Sequence, residues 1–149
     1  MSTHTFPQAL VIDDEPSNRD VLERMLQLAS FAVTGAGSAT EALTVIEKIA
    51  TPAIVIIDRQ LPDRDGIDLL AQLRPLYQDA IMVMATVQDD DATVERAFSV
   101  GCDIFLVKPY GLMELVMQFR NKTFVRSNVR LIGDRNGLHP YRGFVGGGA

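Results

Sequence analysis

In this 149-residue chain five polar residues stand directly after short apolar runs: Asp13 and Asp14 after "ALVI", Asp58 after "AIVII", Thr86 after "IMVMA" and Lys108 after "IFLV". An ionised carboxylate beside a low-dielectric core is costly unless a cation compensates it. If three carboxylates share one crevice they repel strongly. A hard divalent cation with oxygen ligands is the natural neutraliser, and Mg²⁺ favours a few carboxylates completed by waters and phosphate oxygens. Lys108 adds a further positive charge and Thr86 a hydroxyl donor. Together these groups can hold a phosphoryl group on the Asp58 carboxylate, with the metal and the ammonium offsetting charge on its oxygens during transfer.

Such convergence depends on the elements that carry these residues. The body of the chain alternates short apolar strands with amphipathic helices, the pattern of a parallel sheet covered on both sides. "ALVIDD" gives a first strand, followed by a helix from about Ser17 to Leu28 with Val21, Leu22, Met25 and Leu28 spaced to face a core. "AVTGA" is a second strand, and "SATEALTVIEKI" a helix that opens with a capping box, Ser38 and Glu41, and buries Ala42, Val45, Ile46 and Ile49. "AIVII" is mostly β-branched, as a strand buried on both faces should be. "GIDLLAQLR" is a helix stopped by Pro75, "IMVMAT" a fourth strand, and "DDDATVERAFSV" a helix capped and charged at its start by Asp89, Asp90 and Asp91. "IFLV" is the fifth strand, and a fifth helix spans about Leu112 to Phe124.

The expected fold is therefore α/β: a flavodoxin-like, doubly wound, five-stranded parallel sheet with five helices. Right-handed crossovers with helices on both faces require the strand order to reverse, and chemistry gathers there, at the carboxyl ends of the strands. In the order 2-1-3-4-5 strands one and three are neighbours, so Asp13, Asp14 and Asp58 meet, with Thr86 and Lys108 on the far side.

Composition sets the surroundings. A hydrophobic content of 47% over 149 residues suits one domain with a full core, expected over residues 1–126. No apolar run approaches the roughly 20 residues that span a bilayer, and "MSTHTFPQAL" lacks the regions of a signal peptide, so a cytoplasmic protein without membrane contact is expected. The single Cys102 forms no internal disulfide and reads as a small core residue. Residues 1–119 hold 18 acids and 8 bases, whereas residues 120–149 hold 6 bases and one acid. An acidic body argues against a nucleic-acid surface, and the basic, Gly-rich segment 127–149 reads as a flexible tail or linker, with a small hairpin around "DRNG". Neither His4 nor His139 has a catalytic partner near it in sequence.

At the residues singled out, the sequence closely resembles the receiver domain of two-component response regulators. The likeness covers roughly residues 8 to 125 and is carried by the acidic pair in "VIDDEPSNRD", the acceptor in "IIDRQLPDRDG", the hydroxyl in "VMAT" and the lysine and proline in "FLVKPY". That resemblance implies Asp58 as phosphoacceptor, Asp14 as a direct Mg²⁺ ligand, Asp13 as a ligand largely through water, and the backbone carbonyl of Gln60 completing the metal shell. It implies Lys108 paired with the Asp58 carboxylate or its phosphoryl group, Thr86 turning inward to bond a phosphoryl oxygen, and Phe105 at the aromatic switch position. It further implies a sensor histidine kinase or histidine phosphotransfer protein as donor. The output would be a surface of helix four, strand five and helix five, around Val94, Phe98, Phe105 and Leu115, that binds a target or a second copy. Such a domain takes part in its own phosphoryl transfer and autodephosphorylation and is otherwise not an enzyme. Receivers usually carry alanine or glycine after the threonine; Val87 stands here, and its branches should narrow access and slow turnover. Leu61 replaces a common methionine with little change of volume.

Other classes fit less well. A nucleotide- or flavin-binding protein needs a phosphate-cradling loop after the first strand, and "DDEPSNRD" is acidic and glycine-free. A phosphatase with an Asp nucleophile needs a second acid two residues on, where Gln60 stands. A degenerate receiver that acts only as a phosphorylation-independent docking module usually lacks one of the five site residues, and all five are present.

Overall fold

The structure, a computed structural model, describes residues 6–88 and 90–107 and the backbone of 130–132. The chain runs β1 (Gln8–Ile12), α1 (Pro16–Leu28), β2 (Ala32–Ala36), α2 (Ala39–Val45) ending in a 3-10 turn (Ile46–Lys48), β3 (Pro52–Asp58), α3 (Gly66–Leu73), β4 (Ile81–Thr86), α4 (Asp91–Ser99), β5 (Ile104–Val107) and β6 (Arg130–Ile132). The first five strands form a parallel sheet in the order β2-β1-β3-β4-β5, as the alternation of apolar runs predicts. The fifth helix expected from Leu112 to Phe124 lies outside the described residues, as do Lys108, Leu115, Asp89, His4 and His139.

Alternation along the strands sorts their side chains onto two faces. Leu10, Ile12, Val55, Ile57, Met82, Met84, Phe105 and Val107 pack with Ala39 and Ala42 of α2, Ile67, Leu70 and Leu73 of α3, and Val94 and Ala97 of α4. Their neighbours Ala9, Val11, Ile54, Ile56, Val83, Ala85, Ile104 and Leu106 form a second cluster with Leu22 and Leu26 of α1. A sheet apolar on both faces ends in polar residues only where the strands stop, which is why the chemistry collects at their tips.

Several local expectations need correction. Val21 and Leu28, expected to face the core, are 43% and 74% exposed, while Leu22 and Leu26 are buried. Residues 21 and 28 are seven apart and share one meridian of the helix, roughly 120° or more round from the line that Leu22 and Leu26 centre, which turns them to solvent. Val45, Ile46 and Ile49 are only half-buried, because α2 tightens into the 3-10 turn after Val45. Ala53 is exposed: the pairing advances from Gln8↔Pro52 to Ala9↔Ile54, so one residue of β3 bulges out. The tail also contributes β6, parallel to β5 with Ile104 opposite Arg130; the hairpin expected around "DRNG" lies outside the described residues.

Helix starts follow the predicted chemistry. Ser38 Oγ accepts the Glu41 N–H at 3.0 Å, and Glu41 Oε1 accepts the Gly37 N–H at 2.7 Å, a capping box whose second arm reaches one residue further back. Asp90 caps α4, accepting the Thr93 N–H at 3.1 Å and the Thr93 hydroxyl at 2.7 Å, so its carboxyl is held below the usual carboxylate range.

Candidate functional site

Asp13 is the first residue beyond β1. Its N–H still donates to the Ala36 carbonyl of β2 at 3.0 Å, so the residue continues the sheet by one rung. Its Oδ1 accepts the Glu15 N–H at 2.9 Å, turning the chain into α1, where Pro16 occupies the first turn. Asp13 is 1% exposed, whereas Asp14 is exposed. Asp58 ends β3, opposite Ala85 of β4, and is 9% exposed. Since Ile12 pairs with Ile57, Asp13 and Asp58 occupy the next rung of neighbouring strands. Carboxylate oxygens of Asp13, Asp14 and Asp58 all lie within 4.8 Å of one another. The sequence brought these three together on strand order alone, and the geometry agrees.

The loop after Asp58 is folded back tightly. The Gln60 N–H donates to Asp58 Oδ1 at 3.1 Å, and the Gly66 N–H to the Arg59 carbonyl at 2.6 Å. A Cβ on Gly66 would run into the Asp58 carbonyl oxygen and Arg59, so only glycine lets α3 begin this close to the strand end. Asp65 caps α3 by accepting the Ile67 N–H at 2.8 Å. This cap, which the pair "DG" before an apolar run could have signalled, also receives Arg59 and Arg96 at 3.4 Å.

Thr86 ends β4, is 1% exposed, and its Oγ1 accepts the Gln88 N–H at 3.1 Å. Val87 beside it is 54% exposed. Phe105 is fully buried, its ring centroid 6.5 Å from that of half-buried Phe98, and Val94 is buried too. Of the expected output residues among those described, Phe98 is the one that reaches the surface. Leu61 is half-buried against the core. The Cys102 thiol is buried and burial pushes it up to about 12, which suits the inert core role expected for it.

Asp63 was not singled out by sequence, because its partners lie more than twenty residues away. Its carboxylate accepts the N–H groups of Ala39 and Thr40 at 3.0 and 2.9 Å and the Thr40 hydroxyl at 2.8 Å. Those bonds at the start of α2 hold its pKa down at about 2 and tie the loop after Asp58 to that helix. A solvent-open cleft of about 360 Å³, lined by Arg59, Gln60, Leu61, Arg64, Asp65 and Gln88, flanks the same loop.

Three carboxylates with oxygen atoms this close, two of them largely buried, form a hard, all-oxygen donor set that fits a small dication and would repel an anion.

A family model described as the response regulator receiver domain matches residues 9–120. An uncharacterised 14.6 kDa protein of Leptolyngbya boryana is 32% identical over 120 residues, 78% of this chain and 89% of its own length. The two-component response regulator ARR11 of Arabidopsis thaliana is 32% identical over 141 residues, 94% of this chain but 26% of that protein, so the chain spans about a quarter of that relative. A solved response regulator from Burkholderia pseudomallei, with a phosphorylated aspartic acid, calcium ion and citrate, superposes with a TM-score of 0.69 at 27% identity over 78% of this chain and 70% of that one. No helix among the described residues is long and apolar enough to cross a membrane. Strand order, the acidic cluster at the strand tips and the match across residues 9–120 agree, and the chain belongs to the receiver-domain family of two-component response regulators.

Proposed function

We propose that this receiver takes a phosphoryl group onto the Asp58 carboxylate from a phosphohistidine of a sensor histidine kinase or histidine phosphotransfer protein. One observation carries the reading: the carboxylates of Asp13, Asp14 and Asp58 converge within 4.8 Å at the tips of adjacent strands. Asp13, Asp14, Asp58 and the backbone carbonyl of Gln60 are the groups that would hold Mg²⁺. When bound, the ion offsets the repulsion among the carboxylates and the charge on the transferring oxygens. An Asp58 oxygen forms the new P–O bond as the donor's P–N bond breaks; the imidazole nitrogen keeps the electron pair and is free to take a proton from solvent. The Gln60 N–H, 3.1 Å from Oδ1, fixes the rotation of the attacking carboxylate. Lys108 would pair with the carboxylate and then with the phosphoryl group. The Thr86 hydroxyl, which now accepts the Gln88 N–H, would exchange that bond for one donated to a phosphoryl oxygen. Exposed Val87 next to it would hinder water and slow autodephosphorylation. The phosphorylated aspartate in the Burkholderia pseudomallei relative supports this chemistry on the same fold.

The signal would leave through α4, β5 and the segment after it, by binding a target or a second copy. The change would come as rotation of the Phe105 ring as Thr86 moves, together with movement of α4 carrying Phe98, which packs against that ring.

Incubation with Mg²⁺ and a small phosphodonor should add one phosphoryl group by intact mass, absent in Asp58→Asn and on chelation. Equal labelling of Asp58→Asn would overturn the assignment.

A further inference from the structure

Arg59, the residue after the acceptor, bridges three elements. Its Nη1 donates to Gln88 Oε1 at 2.7 Å and to Thr93 Oγ1 at 3.1 Å, while Nε and Nη2 face Asp65 Oδ2 at 3.4 Å. Its backbone is fixed by its N–H to the Ala85 carbonyl at 3.2 Å and by its own carbonyl, which accepts the Gly66 N–H at 2.6 Å. The guanidinium is thus anchored at the tip of the sheet and reaches across to the turn between β4 and α4. Gln88 is held at both ends: Arg59 grips its side chain, and its N–H donates to Thr86 Oγ1 at 3.1 Å.

We propose that Arg59 is a positioning residue for phosphoryl transfer, clasping Gln88 and Thr93 so that the Thr86 hydroxyl stays committed to its local turn until the clasp is released. The inference rests on the reading that Thr86 swings toward a phosphoryl group on Asp58. Contacts made in only one of two arrangements bias the equilibrium by their whole differential strength, and charge-assisted bonds from a guanidinium are the strong ones here. The clasp therefore opposes phosphoryl binding and sets how readily the domain switches. Releasing it leaves its partners satisfied: Thr93 Oγ1 keeps Asp90, and Asp65 keeps Ile67 and Arg96, so the fold does not depend on it.

The test uses the full chain with beryllofluoride and Mg²⁺ as phosphoryl mimic, following backbone amide signals of residues 86–94 during titration. Gln88→Ala cuts the clasp without changing net charge at an exposed residue and should tighten mimic binding about fivefold. Arg59→Ala should speed amide exchange at Gln88 in the mimic-free protein. Added to Gln88→Ala, it should tighten binding little further, because both cut one link. In a Thr86→Ala background Gln88→Ala should have no effect on affinity. Unchanged affinity in Gln88→Ala, or the same gain without the Thr86 hydroxyl, overturns the role of Arg59 while normal labelling of Asp58 keeps the underlying reading. A wild-type chain that neither labels nor binds the mimic overturns both.

Discussion

The two ends of the sheet treat buried carboxylates in opposite ways. At the amino ends of β4 and β5, Asp103 faces Arg74 at 2.9 Å, with side chains 7% and 14% exposed. Asp103 Oδ2 also accepts the Met82 N–H at 2.9 Å, and Arg74 donates further to the carbonyls of Gly101, Tyr77, Gln78 and Ala80. Gly101, at φ +114°, makes room for it, since a Cβ there would run into the Arg74 chain. Charge and hydrogen-bonding capacity are closed within the chain, and that end is built to stay put. At the carboxyl ends three like charges are drawn together within 4.8 Å, an arrangement that folding by itself disfavours. A carboxylate held by the chain's own guanidinium stabilises one structure, whereas carboxylates gathered within 4.8 Å of one another form an oxygen donor set suited to a dication.

Substitutions at each end can break that contrast. Arg74→Ala should have the largest effect, because it leaves the buried Asp103 carboxylate without its guanidinium; a loss of about 3–5 kcal/mol in urea unfolding is expected. A loss as small as that of an exposed ion pair would mean that the amino end is no clamp. Asp13→Asn with Asp14→Asn should instead leave the metal-free protein equally stable or up to about 1 kcal/mol more stable, through relief of repulsion. The same pair of changes should abolish most of the rise in Tm produced by Mg²⁺, and an undiminished rise would place the cation elsewhere. The smallest effect belongs to Asp63→Asn. The folded-state pKa of Asp63, about 2, is depressed from 3.8, so its contribution is complete above the higher value and disappears as pH falls toward the lower. The urea midpoint of Asp63→Asn should thus lie below wild type at neutral pH and converge with it between those two values; a constant gap would show that the side chain acts sterically.

The parts of this molecule that depend on periodicity were legible in its sequence. Continuous apolar runs named the strands, and the flavodoxin-like order expected for them brought Asp13 and Asp14 to Asp58. What stayed hidden depends on contacts between distant residues or on a single angle. Nothing beside Asp63 in the chain announces that it caps α2, and Arg74 carries no pattern that points to Asp103. Val21 and Leu28 misled because apolar spacing defines a stripe but not its centre, which packing against the sheet decides. Ala53 belongs to a uniform apolar run, yet a one-residue bulge turns it to solvent, a change of register that residue type does not record.

The parallel pairing of β6 has a directional consequence. An antiparallel return would have carried the chain back toward the Arg74 clamp. A strand that runs with β5 instead leads it, at Ile132 beside Leu106, toward the same pole of the sheet as the aspartates. Ile132 therefore ends at the reactive pole, on a backbone paired in parallel with the strand that carries Phe105.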